Sequence, residues 1–207
     1  ADEGALLTGS LAVAHPSYPN DLALTSGSTW GIASDTLRTI DAIHIGDLLE
    51  ERGKSWKIYA GGYPGHCVLG RKAGAYARKH VPFLSYRNVQ GNSSRCARVV
   101  GANELQTDVE MGTLPDFAMY IPNNAHNGHD TGVARADRYI ERIFGPQSHL
   151  HRALGRHDRG RFQAYRRIHA LQPAAHHRGP ARPGAAGAGG RQGYTDRRGV
   201  ALRRVTH

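Results

Sequence analysis

The stretch TIDAIHIGDLLEERGKSWKIYAGG, residues 39–62, decides the fold. Ile40, Ile43, Leu48 and Leu49 fall near one face of a helix, with Asp41 in its first turn, Arg52 late and Gly53 as its stop. Residues 55–62 then alternate as a strand does. The succession recurs downstream. ANELQTDVEMG (102–112) reads as a helix, PDFAMYIPN (115–123) as a buried strand ending in a loop, and TGVARADRYIERIFG (131–145) as a helix facing inward with Val133, Tyr139 or Ile140, and Phe144. Upstream, SLAVAHPS (10–17) starts as a short apolar strand that Pro16 and Pro19 stop. NDLALTSGS (20–28) reads as a short helix, its start marked by Asn20 or Ser17 and its end by Gly27. Strands alternating with helices predict a layered α/β fold with a largely parallel sheet, whose site belongs at the carboxyl ends of the strands. HPSYPN (15–20) and PNNAHNGHD (122–130) both fall at such a place.

At 207 residues the chain has room for one domain, or one plus an appendage. Its net charge of +10 is unevenly held. Residues 1–146 carry 14 Lys and Arg against 15 Asp and Glu, whereas residues 147–207 carry 13 Arg, no Lys and 2 Asp. The composition changes after ERIFGP (141–146), so a domain over 1–146 and a tail rich in Arg, Ala, Gly, His and Pro over 147–207 are expected. One reading of the tail is a basic arm for nucleic acid or anionic lipid. The other is high-GC coding DNA read in a shifted frame, which produces the same residue set. From Pro173 onward little apolar surface is available to offset chain entropy, so poor order is expected.

Cys67 and Cys96 lie 29 positions apart. Pairing in an exported protein and two unrelated buried thiols fit the sequence equally well. With no second cysteine close to either, and only His66 beside one, a zinc site is not expected. No signal peptide or membrane span is visible, and a chain opening at ADEGALLTGS leaves room for an export signal upstream.

LAVAHPSYPNDLALTSGSTWGIASD (11–35), IGDLLEERGKSWKIY (45–59), YARKHVPFLSYRNV (76–89), RCARVV (95–100), LPDFAMYIPN (114–123) and NGHDTGVARADRYI (127–140) follow one another in a consistent order. Together they resemble the bacterial phosphoesterase family, which holds secreted acid phosphatases and phospholipase C-like enzymes of the alkaline phosphatase superfamily. The likeness runs from about Leu11 to Pro146. It implies an alkaline-phosphatase-like layered fold, a secreted or periplasmic location, and a phosphate ester or phospholipid head group as ligand. Ser17 is then the nucleophile, activated by a divalent metal ion and forming a phosphoseryl intermediate. Asn20 steadies the phosphoryl oxygens, and His129 contacts the phosphoryl group or protonates the leaving alcohol. Ser17, Asn127 and Asp130 are the metal ligands so implied. Plain helix capping also accounts for Ser17 and Asn20, and a solvated polar loop for His126, His129 and Asp130.

The departures from the pattern matter too. No Glu-Asn pair precedes Ser17, Asn127 stands where the family has an acid, and the Arg-rich segment stands where a strand ending in Asp-Glu is expected. A chain shortened at its N-terminus and frame-changed after about residue 146 is therefore expected to turn over weakly or not at all. The rival expectation is a non-catalytic protein whose tail binds nucleic acid or anionic lipid.

Overall fold

The structure, a computed structural model, describes residue 9, residues 11–145 and residues 147, 148 and 150. Apart from those last three, the basic segment falls outside the described residues, and so do the expectations attached to it. In chain order the elements are α1 (Ser17–Ser26), α2 (Ile45–Glu51), β1 (Trp56–Ala60), β2 (Lys72–Ala73), β3 (Tyr76–Ala77), α3 (Arg87–Gln90), α4 (Ser93–Cys96), β4 (Val99–Gly101), α5 (Glu104–Met111), β5 (Phe117–Ile121) and α6 (Val133–Phe144). Short 3-10 turns at Arg78–His80 and Pro82–Ser85 follow β3.

β1 is the middle strand of a parallel sheet ordered β4-β1-β5, with Ile58 opposite Val99 and Met119. Its side chains serve two cores because successive residues point to opposite faces. Trp56, Ile58 and Ala60 join Met119 and Ile121 under Tyr18, Leu22, Phe83, Leu84 and Tyr86. Tyr59 and Tyr120 face the other way, onto Leu105 and Val109 of α5 and Tyr139, Ile143 and Phe144 of α6. This is the layered α/β architecture that the alternation of elements predicts.

Three local expectations are corrected. Residues 11–16 form no strand: Val13 and Ala14 donate their N–H groups to Asn20 Oδ1 at 3.0 and 3.1 Å, so the backbone bonds a side chain and not a sheet. The helix in residues 39–53 starts late, at Ile45. His44 caps it by accepting from Gly46 N–H through Nδ1 at 3.0 Å, while Asp47 accepts from His44 N–H at 2.9 Å. Ile40, assigned to that helix by its spacing, instead bridges Tyr86. On α6, Val133 lies exposed, and the inward face is Tyr139, Ile143 and Phe144.

The parallel strands bring their carboxyl ends together. Gly61, just past β1, donates to Ile121 O at 2.8 Å and lies so near the turn after β5 that a Cβ would meet Asn123 N at 2.6 Å. Only glycine fits there. That contact sets the segment after β1 against the loop 122–131.

Candidate active site

α1 begins at Ser17 and stops at Gly27, whose φ of 72° is the left-handed cap that glycine adopts without strain. Neither Ser17 nor Asn20 is its N-cap. That position is Pro16, and Ser17 is the first helical residue. Among the described residues the half-buried Ser17 hydroxyl has no hydrogen-bond partner. Asn20 works backward on the entering loop. Besides accepting from Val13 and Ala14, it donates through Nδ2 to Ala14 O at 2.7 Å and Pro16 O at 2.9 Å. Both amide hydrogens are thus spent holding the segment that delivers Ser17.

Two side-chain pairs converge on the first turns of α1. Tyr18 N–H donates to Asp35 Oδ1 at 3.2 Å, and Lys79 Nζ binds Asp35 Oδ2 at 2.5 Å. Burial works against the Asp35 carboxylate, but its hydrogen bonds from Lys79 and Tyr18 hold the carboxyl below its ordinary range. His80 Nδ1 lies 3.3 Å from Asp21 Oδ2, one helical turn beyond Ser17. Lys79 and His80 come from the turn after β3, and sequence reading passed over both. A Lys-His pair before a proline has no signature of its own; the cue available was its place inside YARKHVPFLSY.

The loop 122–131 braces itself by short-range bonds. Asn123 Oδ1 accepts from Ala125 N–H at 3.1 Å and lies 2.9 Å from His126 Nδ1, and the His126 ring stacks on Tyr139 at 4.0 Å. Asn127 Oδ1 accepts from His129 N–H at 3.0 Å. His129 and Asp130 are exposed and paired, Nδ1 to Oδ1 at 2.6 Å. The hydrogen bond from His129 holds the Asp130 carboxyl below its usual range, with the charges of Lys72 and Lys79 adding to it. Asn124 N–H donates to Ala75 O at 2.9 Å, so the 72–80 segment adjoins this loop on one side and the start of α1 on the other.

A divalent cation does not fit the residues described. Asn127 and Asp130 are engaged within their own loop, and among the described residues no three His, Cys, Asp or Glu side chains gather as a ligand set. Cys67 and Cys96 are joined as a disulfide, with Cα atoms 5.6 Å apart. Among the described residues no helix is long and apolar enough to cross a membrane.

The fold and site define a parallel α/β protein with a helix-mouth serine beside charged loops that follow the strands. The chain belongs to the phosphoesterase family, whose model matches residues 1–149. It is similar to a probable acid phosphatase of Kluyveromyces lactis, 32% identical over 155 residues, covering 70% of this chain and 37% of that protein. It is 29% identical over 153 residues to the phosphate-repressible acid phosphatase of Penicillium chrysogenum, with the same shares covered. A phosphatidylinositol-3-phosphatase of Mycobacterium tuberculosis is 31% identical over 144 residues, covering 69% of this chain and 46% of that protein. The chain thus spans less than half the length of these relatives.

Proposed function

We propose that this chain hydrolyses phosphate monoesters through Ser17. The observation that carries the reading is the convergence of the His80–Asp21 and Lys79–Asp35 pairs on the helical turn of a serine whose hydroxyl is otherwise unpartnered. His80, oriented by Asp21, takes the Ser17 proton as Oγ bonds to phosphorus. The phosphorus–oxygen bond to the leaving group breaks, and His129, oriented by Asp130, supplies that alkoxide with a proton. Water then attacks the phosphoseryl group and gives a proton to His129, while Ser17 Oγ recovers its own from His80. Asn20 is a positioning residue that holds residues 13–16 and so fixes the approach of Ser17. The names of the relatives support phosphate esters as the substrate class, and one of them supports a phosphoinositide head group as a specific case.

We also propose that turnover is slow, because the family resemblance implies an acid at the position of Asn127 and no metal ligand set is formed by the described residues. An exported location is supported by the Cys67–Cys96 bond, which persists in oxidising compartments. The test is incubation with p-nitrophenyl phosphate at acid pH, with and without added divalent cations. Mass spectrometry is expected to find one phosphoryl group on the peptide containing Ser17, and none on Ser17→Ala. Equal p-nitrophenolate release by the two proteins would overturn the reading.

A further inference from the structure

At the carboxyl end of β1 lies a second cluster, which the mechanism above does not use. Tyr63 follows the Gly61–Gly62 turn, and its ring packs on Tyr76 of β3 at 5.4 Å between centroids. Tyr76 also lies against Gly62, and Arg78 follows β3 by one residue. Arg78 is 8% exposed and belongs to no ion pair among the described residues. Its Nε and the hydroxyls of Tyr63 and Tyr76 are sealed from solvent without a hydrogen-bond partner. The Tyr63 oxygen faces the backbone N–H groups of Cys67 and Val68 without closing a bond to either. Burial, the phenol of the other tyrosine and Arg78 all act on the Tyr76 hydroxyl, and the net effect pushes it above the ordinary tyrosine range, so it stays a proton donor.

A buried guanidinium cannot shed its charge, and without a counter-charge it is costly. Buried polar groups left without partners call for a missing ligand or solvent. The groups here are the Nε–H of a guanidinium with two phenolic O–H groups, donors that suit the spread oxygens of a tetrahedral oxyanion. They stand at the strand ends where parallel α/β proteins bind ligands. We infer that Arg78, Tyr76 and Tyr63 form a subsite for a tetrahedral oxyanion, the phosphate group of an ester or free phosphate. The choice of phosphate rests on the function proposed above, whereas the cluster itself does not depend on Ser17.

The experiment is titration calorimetry of the full chain with inorganic phosphate, phenyl phosphate and acetate. Binding of either phosphate is expected, with the tighter of the two showing whether ester or free phosphate is the occupant. Arg78→Met is expected to weaken it about tenfold or more, and Tyr76→Phe about threefold. Circular dichroism checks that each variant is folded, and Tyr76→Phe removes only a hydroxyl. Phosphate affinity unaltered by both Arg78→Met and Tyr76→Phe would overturn the inference and move the anion elsewhere, for instance to the Arg-rich segment. Equal binding of acetate would overturn the assignment to a tetrahedral oxyanion. Loss of Ser17 labelling with phosphate binding intact would instead count against the nucleophile alone.

Discussion

Arg95 and Arg78 are both largely buried arginines, and their surroundings differ completely. Arg95 is neutralised from within: it binds Asp47 at 2.6 Å and Glu50 at 2.5 Å, and Glu50 in turn takes Arg98 at 2.6 Å and the Trp56 indole N–H at 2.9 Å. Asn88 ties the same Asp47 to His44. Every charge in this group has a protein partner, and the group's work is to hold α2 and α4 beside the start of β1. Arg78, near the end of β1, has none among the described residues. One region is closed by its own side chains. The other keeps buried donors that no described side chain satisfies, which is how an unfilled subsite differs from a structural network.

The disulfide ties the two regions together, because Cys96 follows Arg95 and Cys67 lies beside Tyr63. The largest effect is therefore expected from Cys67→Ser with Cys96→Ser. Opening a loop with a sequence separation of 29 should lower unfolding free energy by about 3 kcal/mol in urea titrations. Two free thiols in the native protein, found by alkylation without reduction, would remove the link.

A direct contrast comes next. Arg95→Ala strips Asp47 of its arginine and leaves Glu50 with Arg98 alone, and should cost about 2 kcal/mol, whereas Arg78→Met in oxyanion-free buffer should cost nothing or raise the unfolding midpoint. Equal destabilisation by both would break the comparison. Asn20→Ala removes four bonds to the loop before α1 and is expected to cost about 1 kcal/mol. Its labelling at Ser17 should fall by more than that change in stability accounts for. If labelling is untouched, Asn20 has no positioning role.

The smallest effect concerns pH. His44 is fully buried among Trp56, Phe83 and Tyr86, and burial holds its imidazole below the ordinary value of 6.5, against the opposing charges of Asp47 and Glu50 and with that of Arg95. Its Nδ1 accepts from Gly46 N–H, so a proton there would remove the cap of α2. The unfolded chain takes up a proton near 6.5 before the folded chain does. Stability from this group is present above 6.5 and is lost as pH falls through the lower folded value. His44→Asn keeps a capping acceptor without titrating, and its unfolding midpoint should vary less between pH 7.5 and 5 than that of the parent. Identical pH profiles would show that other groups govern the acid response.

Much of the fold was legible in the sequence. β1, β5, α5 and α6 follow from periodicity, because strands buried on both faces and helices with an apolar stripe leave patterns that survive any tertiary context. Gly27 and Gly53 also end their helices in sequence and in space, since only the local backbone is at stake. β4 went unread: its three residues in RCARVVG are too few to show a period. The strand expected before Ser17 failed for another reason. Apolar residues do not choose their hydrogen-bond partner, and Asn20 claimed the backbone first.

Chain-local chemistry, then, determined which segments are helix or strand, where glycines stop them, and that a serine stands at the head of α1. Only the tertiary structure decided which distant side chains come together around that helix and at the strand ends. His80 with Asp21, Lys79 with Asp35, and Tyr63 with Tyr76 are meetings between residues set far apart along the chain or brought together by a hairpin. Whether a buried charge ends up paired or orphaned depends on every other group packed around it, and no single stretch of sequence carries that sum.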